Sequence, residues 1–516
     1  MFPWRDNLEE TAGTGITGGS HCPDDLMGTM SAFTDDLPDE LLHCFYTGGR
    51  WTPGDSTHRV TLVSPSSEEE MLSLPLANSI EVDRAVAAAR AAFDTGPWPR
   101  MPASERAGYL RRFADEIRAR LPLLARLWTA QVGAPISFAQ GLIHAGESRF
   151  DHFAELLDGY AFSERRPTAR GHARVVREPV GVAALIAPWN ATFNIFSHKI
   201  PAALAAGCTV VLKSPVESPL DALVIAHAAA AAGIPPGVLN VITADTRESA
   251  QLVASAAVDK ISFTGSVPTG RRIAEAAAQR MARTTLELGG KSAAILLEDA
   301  DLSTALPALT PFTMPFSGQI CFSQTRILAP QHRLTEVEEA YTAAVRALRV
   351  GDPWDPATDM GPVLNARQYH RVLGYVEAGR REGARLLTGG GRSAGFDRGY
   401  YIDPTVFTDV TPEMMIAREE IFGPVVTVQG YRGIDEAVRL ANATDFGLSG
   451  SVFGADVERA FDVALRVNTG HLAVNGFEIS PNVPFGGRKL SGHGREGGPE
   501  GLESFLETKA VFMPAS

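Results

Sequence analysis

VGVAALIAPWN, Val180–Asn190, is an unbroken apolar run that stops at Pro188 and hands over to an indole and an amide. A strand with one wet face would alternate apolar and polar residues. A continuous run is buried on both faces, as in a parallel sheet covered by helices. The run does not stand alone. TVVL (209–212), VLNVI (238–242), KISF (260–263) and TTLE (284–287) come after it, with a helical stretch from about Ser218 to Ala232 closed by Gly233 and Pro235. Short apolar strands alternating with helices predict a doubly covered parallel α/β sheet.

Upstream, two amphipathic helices read clearly. Val82, Val86, Ala89 and Phe93 share one face, and Leu110, Phe113, Ile117 and Leu121 another, with Ser104 as the expected N-cap of the second helix. Residues 1–40 include the Gly/Thr-rich stretch ETAGTGITGGSHC and carry no apolar period, so a disordered tail is expected, with order beginning near Phe45. Downstream, a second segment of about residues 290–490 opens on SAAILL and contains REEIFGPVVTV (418–428) and PFGGRKLSGHGRE (484–496). A chain of 516 residues is too long for one core and divides into two or three domains.

Composition narrows the function. The 47 basic residues against 60 acidic ones give a net charge of −13, which disfavours nucleic acid and anionic membrane surfaces as partners. No apolar run reaches the ~18 residues of a membrane span. The acidic N-terminus lacks a signal-peptide core, so a cytoplasmic protein is expected. Four cysteines, Cys22, Cys44, Cys208 and Cys321, with no CxxC, make neither a disulfide scaffold nor a metal site.

Ligands bind parallel sheets at the carboxyl ends of the strands. Pro188-Trp189-Asn190, Lys213, Thr264-Gly265-Ser266 and Glu287 with Leu288-Gly289-Gly290 all fall there. Each has a bland use. Gly265 and Gly270 in FTGSVPTG fit a structural turn, or a helix start whose free N–H groups hold a phosphate. Lys213 is a snorkelling lysine or an anion ligand. Asn190 satisfies a loop or donates to an oxyanion. Glu287 is ion-paired, or desolvated and poised as a base. Cys321, in FSGQICFSQTR (316–326), is a small core residue or a nucleophile that needs a positive field or N–H donors to become thiolate. Cys22 lies in the tail, Cys44 before the domain and Cys208 in a helix-to-strand turn.

Taken together, APWN, VVLK, FTGS, LELGGK, GQIC, EEIFGPV, VN and PFGGRKLSGHGRE, in that order, resemble the aldehyde dehydrogenase superfamily over about residues 45–513. The resemblance implies an α/β fold with a Rossmann-type cofactor domain (41–159 and 178–288), an α/β catalytic domain (289–490) and a small β oligomerisation element (160–177 and 491–516). That element would pair residues 160–177 with 503–513. The activity implied is oxidation of an aldehyde to an acid by a non-acylating, NAD-dependent enzyme, with NADP as the alternative cofactor and a homodimer or homotetramer as the assembly. Cys321 would be the nucleophile, Glu287 the base for water, and the Asn190 amide with the Cys321 N–H the oxyanion hole. Ile186, Trp189, Lys213, Gly265, Ser266, Gly270, Gln368, Glu420 and Phe422 would hold the dinucleotide, Glu420 at the nicotinamide ribose. Lys199 matches a family lysine near the active site and stays outside the catalytic set. No metal is implied.

The chain departs from the family pattern at three places. Val216 stands where a ribose-binding Glu is frequent, with Glu217 next to it, which opens the cofactor question. Ala191 and His198 stand where aromatics are frequent, which makes room for a bulkier aldehyde. The rival readings are a thiol hydrolase, which needs a histidine base beside Cys321, a non-catalytic binding protein of the same fold, and a CoA-acylating relative, which Glu287 argues against.

Overall fold

The computed structural model describes residues 38–54 and 57–514. The expected tail lies outside them except for its last residues, where Asp39–His43 forms a short helix. Ordered chain therefore begins before Phe45, and Cys44 opens the first strand (Cys44–Thr47) instead of preceding the domain.

Eight strands make the first sheet. Across it run Arg50–Pro53, Cys44–Thr47, Leu239–Thr243, Thr209–Ser214, Val182–Ile186, Lys260–Thr264, Arg283–Glu287 and Gly492–His493. The five strands between the outer three are parallel, and the edges are antiparallel. Every residue of Val182–Ile186, Leu239–Thr243 and Lys260–Thr264 is buried, as unbroken apolar runs require. Helix Ser79–Asp94 covers one face. It starts with a capping box in which Asn78 Oδ1 accepts from the Glu81 N–H while Glu81 Oε2 accepts from the Asn78 N–H. The next helix, Ala103–Arg118, is not capped by Ser104. Pro102 presets the backbone there, and its carbonyl accepts from the N–H of Glu105 and of Arg106, which puts Ser104 inside the first turn. Of its expected apolar face, Leu110, Phe113 and Ile117 are fully buried, but Leu121 is half-buried and opens the separate helix Leu121–Val132, because the chain leaves the first helix after Arg118.

The register lines up the strand ends. Ile186 lies opposite Lys213 and Phe263, and Thr264 opposite Glu287. The motifs after these strands thus share one edge of the sheet.

From Glu287 the chain passes through Leu288–Ser292 into a second sheet of seven strands, ordered Arg385–Thr388, Thr405–Thr408, Val425–Tyr431, Arg326–Pro330, Ala293–Leu296, Gly450–Phe453 and Ala473–Val474. A third, three-stranded sheet joins Ser163–Thr168, Gly171–Pro179 and Leu506–Pro514. Residues 492–493 pair with Leu286 and Glu287, and helix Gly498–Glu503 lies against helix Thr192–Ala206. The segment 491–505 therefore serves the first sheet, and only Leu506–Pro514 joins the three-stranded one.

Arg326 pins the second sheet to the linker. Its buried guanidinium donates to the carbonyls of Lys291 (3.0 Å), Leu440 (2.7 Å) and Ala441 (2.8 Å), the last two at the end of helix Ile434–Asn442. Removing it orphans three buried acceptors at about 1–3 kcal/mol each. Arg326→Ala is expected to destabilise the protein by roughly 3 kcal/mol or more, read as a lower urea midpoint.

Candidate active site

The segment before Cys321 takes an unusual path. Phe316, Ser317 and Gly318 have successive φ values of +49°, +56° and +71°. Left-handed backbone is costly for the two residues that carry a Cβ. Gly318 is required here, since a Cβ would sit 2.1 Å from the Gly423 carbonyl oxygen. Two side chains hold the path in place. Ser317 Oγ donates to the Gly361 carbonyl at 2.7 Å, and Gln319 Oε1 accepts from the Leu364 N–H at 2.9 Å. The Gln319 carbonyl in turn accepts from Asn190 Nδ2 at 2.9 Å, while the Asn190 carbonyl accepts from Trp128 Nε1 at 2.6 Å. Asn190, at the end of the first sheet, and Cys321, in the second segment, are joined through Gln319.

Cys321 is half-buried. Burial and the nearby Glu420 and Glu287 carboxylates push its thiol up to about 12, against the pull of the Cys321 and Phe322 N–H groups. Cys208 is fully buried and likewise pushed up to about 12, chiefly by burial. What separates the two cysteines is exposure, since Cys208 is sealed in the core and Cys321 is not. Gly290 lies so close that a Cβ there would come within 2.5 Å of the Cys321 carbonyl oxygen.

Glu287 is 3% exposed, and neither carboxylate oxygen has a hydrogen-bond partner among the described residues. Burial, reinforced by the charge of Glu496, holds it well above the usual carboxylate range, while Lys199, Arg495 and the nearby Gly487 N–H oppose the shift. Oε1 rests on the loop of PFGG, 2.8 Å from where a Cβ on Gly486 would stand. Behind it, fully buried Lys199 forms an ion pair with Glu496 and donates to Ser262 Oγ at 3.0 Å. Glu496 and Ser262 were not candidates from sequence. Glu496 ends the quoted PFGGRKLSGHGRE, and a carboxylate closing a glycine-rich run was the available signal. Ser262 sits unremarked in KISF.

Around the cleft mouth, Glu420 is half-buried, accepts from the Gly290 N–H at 3.0 Å, and lies over Gly289, where a Cβ would come within 2.2 Å of Oε2. Burial raises it to about 7. Phe422, at φ +61°, sets its ring edge-on to Trp189 at 5.5 Å, and its carbonyl accepts from Gln368 Nε2 at 2.5 Å. Lys213, beside Glu217 and Asp245, is lowered to about 8 by burial. Ser266 precedes helix Val267–Ala278 without a side-chain cap, Gly265 donates its N–H to the Glu287 carbonyl, and Gly270 packs on Leu288. Ile186 is buried at its strand end. Glu217 reaches Arg367 at 3.4 Å, next to Gln368.

A wall of rings begins at Phe322, next to Cys321. Phe322 stacks on Phe477 at 5.0 Å; His471 lies 5.1 Å beyond, Phe485 5.7 Å from it, and His198 a further 6.3 Å on. Burial beside Arg149 and Lys199 keeps His198 well below its ordinary value, hence neutral. No histidine ring is within hydrogen-bond contact of the Cys321 thiol among the described residues. The described residues hold no group of three or more His, Cys, Asp or Glu that could bind a metal ion, and no helix long and apolar enough to cross a membrane.

A thiol, a desolvated carboxylate and an amide meeting at the carboxyl edge of a parallel sheet define an enzyme of covalent carbonyl chemistry. The model of the aldehyde dehydrogenase family matches residues 51–511, and the chain belongs to that family. It is 45% identical to geranial dehydrogenase of Castellaniella defragrans, over 91% of this chain and 98% of the relative. It is 40% identical to 3-succinoylsemialdehyde-pyridine dehydrogenase of a Pseudomonas species, over 91% and 98%. Among solved structures, an aldehyde dehydrogenase of Mycobacterium tuberculosis complexed with NAD+ superposes with a TM-score of 0.90 at 41% identity, covering 92% of this chain and 98% of that one. A mutant aldehyde dehydrogenase C of Pseudomonas syringae, complexed with NAD+ and octanal, does so at 0.90 and 40%, covering 93% and 99%.

The folded-state pKa of Glu287 stands above its unfolded value. Between the two the native state holds a proton the unfolded chain has lost, so stability falls as pH rises through that window. Glu287→Gln removes this loss. Thermal melts of the two proteins should differ in favour of the variant more at pH 8 than at pH 5.

Proposed function

We propose that this chain oxidises an aldehyde to its carboxylic acid through a thioester on Cys321. The observation that carries this reading is Glu287, a carboxylate sealed from water without a hydrogen-bond partner among the described residues, in the same site as the half-buried Cys321 thiol. Such a group holds a proton strongly and is suited to take one from water.

In the reading proposed, the Cys321 thiol gives up its proton to water, the thiolate attacks the carbonyl carbon, and the carbonyl oxygen takes up the negative charge. The Asn190 amide has two N–H donors, only one of which Gln319 occupies. The other, with the Cys321 N–H, would donate to that oxyanion. Hydride then leaves the thiohemiacetal carbon and a thioester remains. Water, deprotonated by Glu287, attacks the thioester and releases the acid and the thiol. Lys199 and Glu496 lie close enough to act on the charge of Glu287, in opposite senses.

The residues around the cleft fit a dinucleotide. An uncapped helix start after Ser266 offers N–H groups to a phosphate, Lys213 adds a cation, and Glu420 offers a carboxylate to ribose hydroxyls. Ile186, Trp189, Gly265, Gly270, Gln368 and Phe422 would form its walls. NAD held by these residues would supply the hydride acceptor. NAD is the cofactor proposed, in line with the NAD+ complexes of the two structural relatives. Val216 puts no carboxylate where a ribose-binding Glu is frequent, so NADP is tested beside it.

The domain division proposed is 41–159 with 178–288 for the cofactor and 289–490 for catalysis. The three-stranded sheet, which leaves Val511, Phe512 and Met513 exposed, is proposed to seat a second copy in a homodimer or homotetramer. A cytoplasmic enzyme is the setting proposed.

An aldehyde panel with NAD and NADP, read as absorbance of the reduced cofactor, tests the function. Wild type should give one reduced cofactor per acid formed. Cys321→Ala should give none, and Asn190→Ala should lose about 10²–10³ in kcat. Full dehydrogenase activity in Cys321→Ala would end the proposal. Ala191, small where an aromatic is frequent in the family, is the ground for proposing a bulky aldehyde. Ala191→Phe should then lower kcat/KM for bulky aldehydes more than for short ones, and equal losses would count against it.

A further inference from the structure

One buried charge is left unused by this chemistry. Lys291 is 2% exposed, and its Nζ has no hydrogen-bond partner among the described residues. A sealed ammonium without a partner is costly and calls for an explanation. The carbonyl of the same residue is taken by Arg326, a second buried cation, which makes the setting less favourable still.

Its place in the chain supplies the explanation. Lys291 comes directly after Gly290, whose N–H donates to Glu420 Oε1 at 3.0 Å, and Glu420 Oε2 lies over Gly289. The Glu420 carboxylate thus rests on the two residues before Lys291. We propose that Lys291 is a positioning residue whose ammonium keeps Glu420 ionised, so that Glu420 can accept the hydroxyls of the cofactor ribose. The proposal rests on the assignment of Glu420 to that ribose.

The charges around the pair are few. Glu419 and Arg326 act on Lys291, and Arg371, whose Nη2 donates to the Glu420 carbonyl, acts on Glu420. The Tyr375 hydroxyl is spent on Glu419 at 2.7 Å, and Cys321 feels the Glu420 charge. Burial brings Glu420 up to about 7, against the Gly290 N–H, Arg371 and then Lys291, and burial with Arg326 brings Lys291 down to about 7, against Glu420 and Glu419. Without the ammonium, the carboxylate would bind its proton more tightly. A larger share of Glu420 would then be neutral at pH 7 and would bind hydroxyl donors less well.

Calorimetric titration of the full chain with NAD+, without aldehyde, tests this from pH 6 to 9. Lys291→Met should weaken NAD+ binding about fivefold at pH 7, the loss of ionised carboxylate when Glu420 rises by about one pKa unit from about 7. The loss should nearly vanish at pH 9. In a Glu420→Gln background the same substitution should change nothing. Equal weakening at every pH, multiplying effects of the two substitutions, or no weakening in Lys291→Met would overturn the proposal. If Glu420→Gln alone leaves NAD+ affinity unchanged, the assignment of Glu420 falls first and this inference with it. Lys291→Gln serves if the Met variant does not fold, with the same outcomes required.

Discussion

The site is organised around one constraint, a carboxylate that cannot reach water. Glu287 ends a buried strand, and the glycines of PFGG close over it. Sealing it raises its hold on a proton, and the neighbouring Glu496 raises it further. An isolated charge of this kind would be untenable. The Lys199–Glu496 pair, with Ser262, supplies the polar surroundings through which charge can be balanced without admitting solvent. The same seal keeps the Cys321 thiol protonated until a positive charge arrives. Base and nucleophile are therefore both held in their uncharged forms by burial, and the approach of ligands is what shifts them.

Bringing these groups together takes two sheets. Asn190 and Glu287 belong to the first, Cys321 and Glu420 to the second segment. The joints between them are close main-chain contacts. Gly289 and Gly290 let Glu420 and the Cys321 backbone approach, and Gly318 meets Gly423 where no side chain could fit. The left-handed residues Phe316, Ser317 and Phe422 store backbone strain that hydrogen bonds from Ser317, Gln319 and Gln368 offset. Arg326 ties the linker to the second sheet, and Lys291 carries charge beside it.

The parallel strands are legible in the sequence because apolar runs buried on both faces leave a local signature, and Val182–Ile186 and Lys260–Thr264 match it closely. Strand order and direction then place Asn190, Lys213 and Glu287 on one edge, a consequence of topology that holds for any parallel sheet. The start of the second helix is not legible at Ser104, because capping depends on which backbone group is free and Pro102 already presents its carbonyl. The true neighbours of Cys44 and of residues 492–493 are hidden too, because edge-strand pairing joins segments whose own patterns are too short to show it.

From its order of residues alone, this protein was determined to be an α/β enzyme of the aldehyde dehydrogenase type, with a thiol and a carboxylate among its strand-end motifs. The α/β class follows from local pattern and the aldehyde dehydrogenase type from the resemblance of its ordered motifs to that family, and both are read from the chain itself. Burial is not. Only the tertiary structure decided that Glu287 lacks a partner among the described residues, that Lys199 pairs with Glu496 at a separation of 297 residues, and that the Lys291 ammonium is buried without one among the described residues. The energy of a charge depends on what surrounds it in space, and those neighbours come from distant parts of the chain.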